Sequence, residues 1–477
     1  MLNSASFTRQ LLKNQKIMSG IVFFFLFLVI LMIYWPALSG TFILDDYVWI
    51  HPLNWVQIKH LFIGSWEHGN ALRPVMRLQF WSSRLLFGEW SFGWHVTNIF
   101  LHTLVAGCAF GITKKITNNF WLAMVPAFLF AIFPTNHETV AWISGRTHPF
   151  GFLLALAGGY LLYRACTASH RTVAYAVSGY FISLAGFLTY EISFVIPVGL
   201  LLVVLVLGPR TRRAWGITVG SFALLIGLLV YRWFILGHTF GSVGAQYSNW
   251  LVAPFLNFHQ FERMYWYSRE IKFLLLFVVL IFIGVFVHRR MWRSFSYQWK
   301  LILLFFLLSI FSYAPFSFTK GVAPRFLYSS LFFCLITLAL VYDYLIEWMP
   351  GWIKKSVWCL VVLVFAFSCF RTGQVVDRYR VVADSYTQIR MAVLRDFPVW
   401  PAGRDMLFYG IPDGNDNVLA FLTKFELAVQ YGYKGQTVGR VYRSDRSTPA
   451  ELEKILKTNP VIYKFNGFGQ GIERLVK

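Results

Sequence analysis

Apolar residues in this chain come in long runs, and polar residues cluster between them. The first run covers about residues 18–38 and follows Arg9, Lys13 and Lys16. Others cover about 93–113, 120–134, 149–165, 173–190, 191–208, 214–236, 270–288, 299–315, 328–346 and 355–370. Runs of roughly 17–25 apolar residues predict membrane-spanning helices, and the shorter ones sit near the lower limit. Glu191 and Pro197 divide the apolar stretch 173–208 into two spans. From about residue 371 the pattern changes. Val375, Tyr379, Val382, Tyr386, Ile389 and Val393 recur at steps of three and four, which predicts an amphipathic helix. Strands are expected at 405–411, 438–444 and 460–465. Helices are expected at 417–433 and 448–456, the second starting at a Thr448 N-cap.

The chain is therefore read as a polytopic all-α membrane protein of about eleven spans, with a small C-terminal α/β domain. The division falls at 1–370 and 371–477. Composition agrees: of 477 residues, 57% are hydrophobic and 13% charged, so a soluble enzyme is excluded in favour of one solvated by lipid. The net charge of +22 would suggest nucleic acid in a soluble protein. Here the basic clusters Lys114/Lys115, Arg164/Arg171, Arg210/Arg212/Arg213, Arg289/Arg290/Arg293 and Lys354/Lys355 follow alternate spans, as topology signals do. This predicts a cytoplasmic N-terminus and a C-terminal domain on the outer side, with no nucleic-acid partner. The five cysteines lie in or beside apolar runs and suggest no disulfide framework. No Asn-x-Ser/Thr sequon occurs, which fits a bacterial inner membrane.

Ionisable residues near membrane depth are few, so each is informative. Asp45 and Asp46 follow the first span. One of the pair is a candidate base for a hydroxyl proton, both together are candidates for a divalent cation, and a solvated N-cap pair is the plain alternative. Residues 133–150 gather Asn136, His137, Glu138, Trp142, Arg146 and His148 into one loop. Spacing by four predicts Glu138, Trp142 and Arg146 on one helical face, where a Glu–Arg pair would hold the loop. Arg73 and Arg77 stand one turn apart, and Asn98 and His102 share a face of the second span, where polar side chains join helices. Glu191, Lys320 and Arg325 are placed at outer span ends, where basic residues suit an anionic head group or snorkel.

The order of these elements resembles a known group. Asp45-Asp46, Arg73-Pro74, Asn98 with His102, and Glu138 followed by Ala141-Trp142-Ile143-Ser144-Gly145-Arg146 occur in sequence. Over about residues 20–345 the chain resembles the GT-C superfamily of integral-membrane glycosyltransferases. Within it the match is to the transmembrane O-mannosyltransferases that usually carry tetratricopeptide repeats, and to their bacterial relatives. Asn136-His137-Glu138 stands where that group often has His-Thr-Glu, Tyr190-Glu191-Ile192 where it has Lys-Glu-Ile, and Ser329-Ser330 where a proline is usual. No repeat array is visible.

The resemblance implies transfer of mannose or another hexose from a polyprenyl-phosphate carrier to a protein or glycan hydroxyl on the outer side. It implies Asp45 or Asp46 as base, with Asp45 ahead. Substrate contacts would come from Arg73, His137, Glu138, Trp142, Arg146 and Glu191, and lipid-phosphate contacts from Arg232, Lys320, Arg325 and Tyr328. No cofactor is expected beyond a cation at the Asp pair. The competing class is a non-enzymatic membrane protein, such as a lipid-linked-sugar transporter or an assembly partner. Transporters more often carry their ionisable groups at the midplane of broken helices.

Overall fold

The computed structural model describes residues 4–64, 72–208, 211–237, 297–316, 323–401, 404–409, 426–433, 440–443, 447–467 and 471–475. Ten of the eleven expected apolar runs lie on helices; the eighth, 270–288, falls outside the described residues. Among the described residues seven helices are long and apolar enough to cross a membrane, including Ile17–Leu38, Ser91–Thr117, Arg212–Leu236 and Pro324–Leu345. An eighth candidate is a pair, Phe120–Ile132 with Pro134–Ala141, bent by 49°, and Thr172–Phe187 and Glu191–Leu207 are shorter apolar helices. Proline explains the bend: Pro134 has no N–H to continue the helix ladder. The protein is an integral membrane protein.

The first helix, α1 (Ser4–Leu38), packs on the second span and on the last long helix. Leu26, Ile30 and Tyr34 are fully buried on that face. Phe24, Phe25, Met32 and Trp35 face outward. That is the arrangement lipid permits, since apolar side chains cost nothing on the outer face there.

After α1 come three short helices, α2 (Asp46–Trp49), α3 (Trp55–Ile63) and α4 (Pro74–Phe87), in the loop between the first two spans. The last expected span and the amphipathic stretch after it are one helix of 46 residues, Gly351–Asp396. Both stretches share the helical period, and the one breaker between them, Gly373, costs only about 1 kcal/mol. Beyond the bundle this helix carries Tyr379, Val382, Tyr386, Ile389 and Val393 as a buried stripe.

The C-terminal sheet has the order β2-β1-β3-β4, from β1 (Met406–Tyr409), β2 (Val441–Arg443), β3 (Val461–Gly467) and β4 (Gly471–Leu475). β1 pairs in parallel with β2 and β3, while β4 returns antiparallel to β3. The three expected strands are present, and β3 runs on to Gly467, two residues beyond its expected end. Thr448 caps its helix in a reciprocal box with Glu451. β4 was not expected, because an edge strand carrying Glu473 and Arg474 has a polar face and a weak apolar signal.

Candidate functional site

The turn that delivers the acidic pair is tight. Leu44 has φ of +50°, a sparsely populated conformation for a branched side chain, and α2 starts directly after it. The two carboxylates then part company. Asp46 is fully buried. One of its oxygens accepts from the Ile43 amide at 3.0 Å. The other accepts from the Ser144 amide at 2.9 Å and, at very short range, from the Ser144 hydroxyl. Burial outweighs these donors, and with the neighbouring Asp45 charge it lifts the Asp46 carboxyl to about 7. Asp45 is half-buried; it occupies the N-cap position of α2, but its side chain makes no capping hydrogen bond. The plain N-cap reading therefore does not describe it.

Residues 133–150 do not form the single helical face expected for Glu138, Trp142 and Arg146. A short helix covers His137–Ala141, Trp142 is extended (φ −87°, ψ 126°), and a 3₁₀ turn covers Ile143–Arg146. The break has a packing cause. A Cβ on Gly145 would overlap the carbonyl oxygen of Glu138, so the chain folds back on itself at van der Waals contact. Asn98 secures the fold-back, donating to the carbonyls of Trp142 at 2.8 Å, Val140 at 3.2 Å and Ile143 at 3.3 Å.

The fold-back sends the three side chains to different places. Glu138 is paired with Arg325 at 2.9 Å, not with Arg146. Arg325 also lies over the Trp142 ring, 5.4 Å from its centroid. Arg146 is fully buried; it donates to Ser83 Oγ at 2.6 Å and the Trp94 carbonyl at 2.8 Å, and lies over the rings of Phe80 and Trp94. With no exposed surface it holds the loop. His137 is bonded to the Tyr379 hydroxyl at 2.9 Å, which ties the loop to the long helix.

A second ion cluster lies beside the first. Glu191 bridges Arg73 at 2.7 Å and Arg232 at 3.0 Å, and Arg73 stacks on Tyr190 at 4.5 Å. Arg73 and Arg325 keep 24% and 27% of their side chains exposed, while Arg232 keeps 1%. Two cations therefore present surface, and the third anchors Glu191. Arg77, one turn from Arg73, points elsewhere and donates to the carbonyls of Trp49 and His51, closing the end of α2. Lys320 lies outside the described residues. Tyr328 is fully buried, and its hydroxyl is bonded to His102 at 2.7 Å, which joins two helices.

Sequence reasoning missed Ser144 as the partner of Asp46 and Tyr379 as the partner of His137. Ser144 stood inside the quoted Ile143–Arg146 motif, and Tyr379 was a buried position of the amphipathic stripe; only tertiary contact links them. Among the described residues no group of three or more His, Cys, Asp or Glu is gathered for a metal. Both oxygens of Asp46 accept from protein donors.

No family model matches the chain. In sequence it is 34% identical over 139 residues to mouse protein O-mannosyl-transferase TMTC1, covering 26% of this chain and 14% of that protein. The human protein of the same name is 34% identical over 138 residues, covering 26% and 16%. A Caenorhabditis elegans protein O-mannosyl-transferase, F38B6.6, is 29% identical over 139 residues, covering 26% and 20%. The match thus spans at most a fifth of each of these relatives. In structure, the oligosaccharyltransferase AglB of Archaeoglobus fulgidus, solved with an inhibitory peptide and a dolichol-phosphate, gives a TM-score of 0.48 at 10% identity, covering 94% of this chain and 69% of that one. Another A. fulgidus oligosaccharyltransferase structure, with Zn and sulfate, gives 0.47 at 11%, covering 93% and 67%. By its sequence this polytopic membrane protein resembles the transmembrane protein O-mannosyltransferases of the GT-C group.

Proposed function

We propose that the protein is a membrane glycosyltransferase that moves a hexose, mannose by analogy, from a polyprenyl-phosphate carrier to a hydroxyl acceptor on the outer side of the membrane. The observation that carries this reading is the joined cluster of Arg73, Glu191, Arg232, Glu138 and Arg325, reached from the Asp45 loop through residues 138–146. It holds three cations against two carboxylates, so its excess charge is positive where two guanidinium groups keep exposed surface.

In the proposed reaction the acceptor oxygen bonds to the anomeric carbon as that carbon's bond to the phosphate oxygen breaks. The electron pair leaves with the polyprenyl phosphate, whose growing charge Arg73 and Arg325 stabilise. The acceptor proton passes to the Asp45 carboxylate. Asp46, locked to Ser144, holds Asp45 in place, and Arg232 and Glu138 keep the two exposed arginines oriented. Arg146, His137 and Tyr328 are positioning groups in this scheme. Residues 371–477 form the outer-side domain, joined to the bundle by the long helix, and the location is a bacterial inner membrane with a cytoplasmic N-terminus.

Transfer assays test the reading. Purified protein should move label from polyprenyl-phosphate mannose to acceptor, unaffected by a chelator, and should give none from a nucleotide sugar. Arg325→Lys should lower turnover although charge is kept, because Lys lacks the paired donors of a guanidinium, and Arg325→Ala should lower it further. Transfer from a nucleotide sugar alone would discard the carrier-lipid mechanism. Equal turnover for Arg325→Lys and wild type would discard the phosphate role.

A further inference from the structure

A cavity of about 680 Å³ opens between the first two spans, at the opposite end of the bundle from the acidic pair. Its walls are Val22, Phe23 and Leu26 from α1, and Leu104, Gly107 and Gly111 from the second span, α5 (Ser91–Thr117). Gly111 makes the opening: a Cβ built there meets nothing within 4 Å. At the mouth the lining turns polar, with Ser19, Lys114, Lys115 and Asn118. The Lys114 ammonium is 3.5 Å from Ser19 Oγ and lies over the rings of Phe110 and Phe120. Lys115 lies over Tyr160. The aromatic contacts hold both cations at the rim instead of letting them extend into water.

An apolar trough in two spanning helices, closed at one end by two cations and two neutral polar groups, has the chemistry of one amphiphile. We propose that this groove binds an anionic phospholipid of the leaflet beside Lys114 and Lys115, with an acyl chain along Val22–Leu26 and Leu104–Gly111 and the phosphate between the two ammonium groups. Charge complementarity selects the occupant: among the described lining residues there is no acidic side chain to oppose an anionic head group, and a zwitterionic one would bring its own cation to the lysines. The site is separate from the outer ion cluster and does not depend on the proposed reaction.

Native mass spectrometry of the full chain released from detergent reads the inference directly. With phosphatidylglycerol added, one retained lipid per chain is expected, and phosphatidylcholine of the same chain length should be retained on the order of tenfold less, since each lysine near an anionic head group contributes substantially. Lys114→Gln with Lys115→Gln should abolish that preference, while Lys354→Gln with Lys355→Gln at another basic cluster should not. Gly111→Trp fills the groove from an open position and should remove both lipids while leaving thermal unfolding unchanged. Equal retention of the two lipids by wild type, an unchanged preference in the Lys114/Lys115 variant, or full retention by Gly111→Trp would each overturn the assignment.

Discussion

Asp45 and Asp46 are neighbours in the chain and opposites in environment. Asp46 accepts from Ile43 and Ser144 and is fully buried, while Asp45 keeps access to solvent. Asp45→Asn should therefore cost about 10²–10⁴ in turnover with normal unfolding, whereas Asp46→Asn should lower stability by about 1–3 kcal/mol because its amide turns a donor toward donors. Comparing transfer rates with detergent thermal scans for both variants checks the division of labour. Equal loss of activity with equal destabilisation would refute it. The pH dependence follows from the raised Asp46 carboxyl. Its folded value, about 7, lies above the ordinary 3.8, so the folded state holds the proton more tightly. That contribution is full below about 4 and is lost as pH rises through 7. Melting temperature should fall between about pH 4 and 7 in wild type and level off above, and the fall should shrink in Asp46→Asn. The sequence pointed to the pair but not to this division, because only the fold brings Ser144 to residue 46 and buries one carboxylate.

At the scale of elements, the segment 133–150 decides how the ion pairs are dealt out. Its spacing suggested one helical face, yet Gly145 against the Glu138 carbonyl folds it into two short turns joined at Trp142. Gly145→Ala should thus abolish correctly folded protein or lower its melting temperature sharply, since the neighbour that must yield is backbone. Monodisperse, wild-type-like material from size exclusion would show that the close approach is not needed. The Glu191 bridge is the second device. Glu191→Gln leaves Arg232 buried without a counter-charge, and a broken buried pair typically costs about 3–5 kcal/mol. Urea or thermal unfolding should report it as one of the largest single-site losses outside the apolar core, and a loss below about 1 kcal/mol would mean Arg232 finds another acceptor.

On the scale of the molecule, the 46-residue helix Gly351–Asp396 connects the bundle to the sheet. Thr372 bonds the Ile132 carbonyl at 2.7 Å, Tyr379 bonds His137, and Tyr386 stacks on Tyr47 at 6.1 Å. Near its end the carbonyls of Val393 and Phe397 accept from the Tyr433 hydroxyl of the C-terminal domain. Tyr431 of that domain reaches the loop between the first two spans, 5.4 Å from Tyr47 and 5.2 Å from His51. The domain is seated on the loop that presents Asp45, so it shares a side of the membrane with the proposed chemistry. A cysteine introduced at the exposed Glu453, in a background with the native cysteines replaced, should react with an impermeant maleimide added outside intact cells. Labelling only after permeabilisation would reverse the orientation.

What the sequence determined by itself was what depends on local order and on solvent. Apolar runs long enough for a bilayer fixed the positions of the helices, and alternating turn, strand and cap signals located β1, β2, β3 and the Thr448 helix. Those features follow from backbone periodicity and transfer energy, which act over a few residues. Tertiary structure alone decided the partners. Glu138 pairs with Arg325, 187 positions away, instead of Arg146, eight positions away, because the close approach at Gly145 turns Arg146 inward. Periodicity carries no record of contacts at that separation, and a charge at membrane depth takes whichever counter-charge the packed backbone leaves within reach.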